Sequence, residues 1–414
     1  GKMWVMSPML APGSLFWSMR FVSGADLAAS DTRAVKRIHA LGESGDLVLD
    51  DHHVGGGYLM EAASVVRTGT GYLDLIAGRN YRHASLFGVY TAGTALTETQ
   101  NYTGIWLTDG GGDVRIEAGG TLAGYSYMSG LDTNQRRINE WLRSENGAWG
   151  ISFGAYVMDT WWTNALLSFA GIGALGGGNV HVIAGGDAGV MSPQILEPNP
   201  NNGFDETRAS GLVVAIGGGG YVDAGGALRQ TGGGDLSVKI GGRLNMAPLY
   251  QSNSPGGGML INVRGDVSVS ASSIGLVNEL RYGAPVNYAD PRPVDPNRPY
   301  DFAPDSGIML ALGDSRANIK TLGHLVLLHA SDPGASDPAT YDGSSLPTIN
   351  APGFSLWTNR TAIDLFSAGG SVAPISTYDP QSGAENSYYS YGANRPYPPS
   401  LGAVAAGGDV LVSG

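Results

Sequence analysis

The sequence predicts a right-handed parallel β-helix, a coil of short strands stacked rung on rung, with one helical insertion and several long loop insertions. Three observations predict it. A unit recurs, made of a glycine turn, Asp or Asn, a short alternating strand, an apolar residue and a glycine pair. It reads GGGDVRIEAGG at 110–120, GGGNVHVIAGGD at 176–187 and GGGDLSVKIGG at 232–242. Glycine accounts for 65 of 414 residues, more than twice its usual share of about 7%. Yet 42% of the chain is hydrophobic, too much for a disordered chain, so glycine punctuates folded structure. Finally, the Asn-Gly and Asp-Gly turns that tight hairpins favour are scarce. Strands with one apolar face each then need a shared interior, which a parallel coil supplies. Glycine permits the positive φ of the corners, and inward residues of successive rungs form ladders about 4.8 Å apart. The right hand follows from the chirality of parallel crossovers. Because each coil packs only on its neighbours, 414 residues can exceed the ~250–300-residue limit of one ordinary core.

Taken in order, Phe16–Val22 alternates as a strand and Ser23–Asp26 turns. Gly45–Asp50 is the first repeat, with Leu47 and Leu49 on one face. Residues 65–80 read as two strands per coil, with Leu73, Leu75 and Ala77 inward and Asp74 and Ile76 outward. The same alternation puts Val114, Ile116 and Ala118 inward, then Val180, Val182 and Ala184, then Leu236, Val238 and Ile240, then Val267 and Val269. Further units lie at 323–328 and 361–373, which suggests roughly a dozen rungs. The insertion 125–175 contains a helical spacing over Asp132–Glu145, stopped by Asn146-Gly147. Loop insertions rich in Pro, Asn, Asp, Ser and Tyr occupy 192–210, 278–306, 331–356 and 374–401. Residues 1–414 read as one β-helix that is a fragment of a longer chain, because Gly407–Val412 starts another unit. Continuation of the chain is expected at both ends.

Composition narrows the function. Only 14% of residues are charged and the net charge is −12, which disfavours nucleic acid as a partner. No apolar run approaches the ~18 residues of a membrane span. Cysteine is absent, excluding disulfides and thiolate metal sites; this is compatible with the cytosol and also suits an exported protein that crosses a membrane unfolded. No cofactor is implied. Asp50-Asp51-His52-His53 is the densest ionisable cluster, but adjacent residues point apart, so a solvated corner is the better reading. Arg264-Gly265-Asp266 matches an adhesive tripeptide, yet its Gly and Asp fill the slots of Gly112-Asp113 and Gly234-Asp235. Asp109–Asp113 lacks the tandem copies of a calcium repeat. The recurring Asp113, Asn179, Asp235 and Asp266 could line a catalytic groove, but turn capping through backbone N–H groups accounts for them. Tyr125, Tyr127, Trp141, Trp149, Trp161 and Trp162 are either a glycan or receptor platform or a small core of the insertion itself. The same choice holds for Tyr378, Tyr388, Tyr389, Tyr391 and Tyr397.

The repeated G-G-G-[DN]-V-x-V-x-A-G-G units resemble the filamentous haemagglutinin family of large exoproteins. Four stretches resemble the domain found toward the C-terminal part of many of them: Arg20–Leu27, Val66–Gly71, Ala174–Val180 and Trp357–Gly370, the last reading WTNRTAIDLFSAGG. The resemblance implies a secreted or cell-surface fibre of a Gram-negative bacterium. It implies export through an outer-membrane transporter of the two-partner secretion type, and a role in adhesion or biofilm formation through a host or neighbour-cell receptor or glycan. A stalk that delivers a contact-dependent inhibition toxin is one alternative. A β-helix polysaccharide lyase or hydrolase is another. The family carries no catalytic residue to transfer, so no enzyme activity is expected.

Overall fold

The computed structural model describes residues 11, 13–49, 66–83, 88–95, 108–124, 140–143, 149–152, 155–156, 166–168, 171–189, 194–195, 207–208, 212–222, 225–245, 258–275, 307–332, 338–339, 355–374 and 398–412. It is a parallel β-helix. The alternating strands stack in one continuous parallel register through Met19, Leu73, Val114, Val180, Leu236, Val267, Ala317, Ile363 and Leu401. Among the described residues these nine rungs form the first face, against the dozen suggested by counting units. At about 4.8 Å per rung they make a rod about 40 Å long.

Each coil has three faces, not two. After the first glycine corner a short strand forms the second face, in register through Leu47, Tyr81, Leu122, Ala188, Leu244, Ile274, Leu325 and Val372. The strand Leu47–Leu49 of the unit at 45–50, and the unit at 323–328, therefore belong to this face or run on from it; they do not repeat the first. The third face stacks Val66, Val89, Ile172, Val214, Leu260, Leu310 and Ala330. All three faces turn alternate side chains into one lumen. Leu73, Leu75, Val114, Ile116, Val180, Val182, Leu236, Val238, Val267 and Val269 are all buried there, as the alternation predicts. Each such side chain contributes about 1.5–3 kcal/mol. Tyr81 is the largest fully buried side chain. Burial pushes its phenol pKa up, and its hydroxyl lies 3.1 Å from His83 Nδ1, so the polar atoms meet each other inside the lumen.

Sequence alternation misses most of the third face, because that face does not alternate. Val213–Ile216 is buried at every position, and so are Leu310, Ala311 and Leu312 in the strand Ile308–Thr321. A strand shielded on both sides reads as a continuous apolar run. The strand Gly218–Val222 touches part of this outer side, near Val263.

The insertions leave the coil at a few corners. Residues 125–171, 190–211, 246–257, 276–306 and 375–397 all follow a second-face strand. Asn245 pins the chain where two of them rejoin the coil, before Val213 and before Ile308. It adopts a left-handed φ of 52°, which Asn tolerates. Its Oδ1 accepts from Leu212 N–H at 2.9 Å and its Nδ2 donates to the Gly307 carbonyl at 3.2 Å, so one buried amide joins the starts of two third-face strands. Asn245→Ala would leave both partners unsatisfied and should cost about 2 kcal/mol. Equilibrium unfolding in urea would measure this, and a cost under ~0.5 kcal/mol would show that the pin is idle.

The helix expected over Asp132–Glu145 is corrected where the chain is described. Glu140–Arg143 is a strand, antiparallel to Trp149–Ser152. Asn146-Gly147, read as a helix stop, is also the strongest two-residue hairpin signal, and it falls between these strands. Residues 132–139 lie outside the described residues. The hairpin joins Gly218–Val222, Leu228–Gly232 and Pro338–Ala339 in a five-stranded side sheet, so pieces from different coils complete each other's backbone bonding. The insertion 374–401 ends earlier than expected, since Ser400 opens a first-face strand.

Candidate functional surface

The corner residues accept backbone N–H bonds, as turn capping predicts, and the N–H comes from the next rung along the stack. At the corner entering the first face, Asn179 N–H donates to Asp113 Oδ1 at 2.8 Å, Asp235 N–H to Asn179 Oδ1 at 2.9 Å, and Asp266 N–H to Asp235 Oδ1 at 2.9 Å. A second ladder runs along the corner leaving it. There Asn80 N–H donates to Asp46 Oδ1 (3.0 Å), Thr121 N–H to Asn80 Oδ1 (2.9 Å), Arg243 N–H to Asp187 Oδ1 (2.7 Å) and Ser371 N–H to His324 Nδ1 (3.0 Å). The two ladders satisfy corner amides that no strand pairs, and they tie the edges of the first face from rung to rung.

The carboxyl of Asp187 is held below its usual range, chiefly by the side-chain hydrogen bonds of Arg243. A depressed folded value stabilises above the unfolded carboxyl value, near 4, and that stabilisation is lost as pH falls through the lower folded value. Both groups are substantially solvated, so Arg243→Gln should cost less than ~1 kcal/mol at pH 7. The difference from wild type should shrink in paired urea titrations as pH falls below the usual carboxyl range and through the lower folded value. A difference that persists in acid would place the effect outside this pair.

The first rungs are covered. Asp74 and Ile76 point outward as expected but are buried, beneath the segment between Ser23 and Asp46. Arg20 and Arg33 both donate to Asp74 Oδ2, at 2.8 and 2.9 Å, and both guanidinium groups lie against the Tyr72 ring. Beyond them the outer side opens to solvent. Arg115 pairs with Glu117 across one strand and Arg316 with Asp364 across two. Between these pairs Lys239, Ser268, Ser270 and Lys320 are exposed and Ser237 and Asn318 half-buried. This bare strip is the candidate functional surface.

Two singled-out motifs prove structural. Asp266 of Arg264-Gly265-Asp266 pairs with Arg360 and the Arg264 guanidinium donates to the Gly232 carbonyl, so both ends of the tripeptide are tied to the coil. The WTNRT phrase is a bracket. Trp357 Nε1–H donates to the Leu312 carbonyl (2.8 Å), Thr361 hydroxyl to the Gly313 carbonyl (2.7 Å) and Thr358 hydroxyl to Asp314 Oδ1 (2.6 Å). Its distinctiveness in sequence comes from closing a corner after a long insertion, whose base Asp332 also holds through Ser355 and Leu356 N–H.

Of the aromatic candidates, the register places Trp141 opposite Ile151, and Trp149 opposite Arg143 and Gly220, in the side sheet. Tyr125, Tyr127, Trp161 and Trp162 lie outside the described residues, as do Asp50–His53 and the tyrosines between 378 and 397. Among the described residues no three His, Asp or Glu side chains gather as a metal site. No described helix is long and apolar enough to cross a membrane. Compared with protein-family models, curated proteins and solved structures, the chain matches none. The family resemblance therefore rests on the quoted phrases alone.

Proposed function

We propose that this chain is a structural and adhesive segment of a filamentous haemagglutinin-type exoprotein, displayed on the outer surface of a Gram-negative bacterium after export by a two-partner secretion transporter. The observation that carries this reading is the unbroken register of the first face over nine rungs, with most long insertions leaving at the corner beyond the second face. A stack of rungs whose outer first-face side is exposed at Lys239, Ser268, Ser270 and Lys320 supports a shaft that presents a surface. A shaft presents; it has no need of a reaction centre.

The test uses intact cells producing the full-length protein. Antibody against the first-face strands should bind without permeabilisation, and excision of whole coils should weaken attachment to a receptor- or glycan-coated surface. Antibody access only after lysis would overturn the reading. So would release of new reducing ends from an acidic polysaccharide by the purified chain.

A further inference from the structure

The bare strip has a composition unlike the rest of the molecule. Register aligns Ser237, Ser268, Asn318 and Asp364 in one outward column and Lys239, Ser270, Lys320 and Phe366 in the next, the columns about 7 Å apart. Within these two columns three successive rungs present two lysines and no carboxylate, in a chain of net charge −12; the exposed Asp235 and Asp266 stand at the strand entries, two positions before Ser237 and Ser268, and Asp266 is paired with Arg360. Arg115, Arg243, Arg316 and Arg360 each hold a carboxylate. Among the described residues, neither Lys239 nor Lys320 has an ion-pair or hydrogen-bond partner. Phe366, one rung beyond Lys320, is 39% exposed and offers a ring face. Beside it the outward position of the next strand is Val404, 53% exposed, which widens the apolar end of the strip.

We propose that this strip binds an extended acidic polysaccharide lying along the solenoid axis, an inference that rests on the adhesive reading above. Lys239 and Lys320 stand two rungs apart, about 10 Å, a spacing that a disaccharide spans, so a chain with one anionic group per disaccharide can meet both ammonium groups. Ser237, Ser268, Ser270 and Asn318 lie between and beside the lysines and offer hydroxyl and amide partners for ring hydroxyls. Phe366 supplies a stacking face for a sugar ring at the end of the strip. Nucleic acid fits less well, because the strip has no row of aromatic platforms for successive bases and the remaining surface repels a dense phosphate chain.

The experiment titrates the purified 414-residue chain with an octasaccharide alternating glucuronate and N-acetylglucosamine. A sulfated octasaccharide, a neutral N-acetylglucosamine octamer and a single-stranded DNA octamer form the other arms. The glucuronate or the sulfated octasaccharide should bind saturably, and the stronger of the two identifies carboxylate or sulfate as the preferred anion. Raising salt should weaken binding, since the contacts are exposed. Lys239→Ser with Lys320→Ser should raise Kd at least tenfold without moving Tm. Phe366→Ser should raise Kd severalfold and leave the salt dependence intact. The proposal is overturned by no saturable binding of either acidic sugar, by equal binding of the neutral octamer, by tighter binding of DNA, or by an unchanged Kd in the double variant. Surface display on intact cells can hold in all of those cases, so the two readings fail separately.

Discussion

Val182→Asp should abolish the cooperative unfolding transition of the central coils, while His181→Asp, one residue earlier, should change stability by less than ~0.5 kcal/mol. Val182 is fully buried between Ile116 and Val238 of the neighbouring rungs. A carboxylate there has no partner in the lumen and costs several kcal/mol even after it takes up a proton. In a stack where each coil contacts only its neighbours, that cost falls on two interfaces at once. His181 points out beside Arg115, where a new carboxylate meets solvent and a cation. Urea unfolding followed by tryptophan fluorescence and far-UV circular dichroism would report both. Similar losses in the two variants would mean that the inward and outward rows are wrongly assigned.

Gly185→Ala should destabilise by about 3 kcal/mol, the upper end of ordinary overpacking. A methyl group at Gly185 would lie 2.2 Å from the Gly119 carbonyl oxygen, and that oxygen belongs to backbone, which cannot swing aside. The effect is one of close approach, because the φ of Gly185 is open to any residue. Gly178, at the other end of the same strand, differs: its φ of 116° excludes side chains by conformation. A Tm for Gly185→Ala within a degree or two of wild type would show that the corners have slack, and would weaken the account of why the glycine pair recurs.

The legible part of this chain was the part that alternates. Val114-Arg115-Ile116 and Val180-His181-Val182 show one wet and one dry side in their spelling, so lumen and surface followed from the sequence. The runs around Val213–Ile216 and Leu310–Leu312 are not legible in that way, because both of their sides are buried and the period is erased. The two corners also share a spelling. Gly-Asp before Val114 and Gly-Asp before Leu47 look like one signal because each polar residue performs the same task, accepting the next rung's N–H. The shared spelling therefore hides the difference between faces one and two, and the sequence shows two strands per coil where the structure has three. The side chains of the bare strip were each visible in sequence, but Lys239 and Lys320 are 81 positions apart, with insertions between them.

The sequence by itself determined the parallel coil, its inward ladder and its glycine corners, since these depend on neighbours within a few positions along the chain. Tertiary structure alone decided the number of faces, the strand at Glu140–Arg143, the pin at Asn245 and the alignment of Lys239 with Lys320. Each of those depends on which rung lies above which, and insertions of unequal length between the rungs hide that from any local pattern.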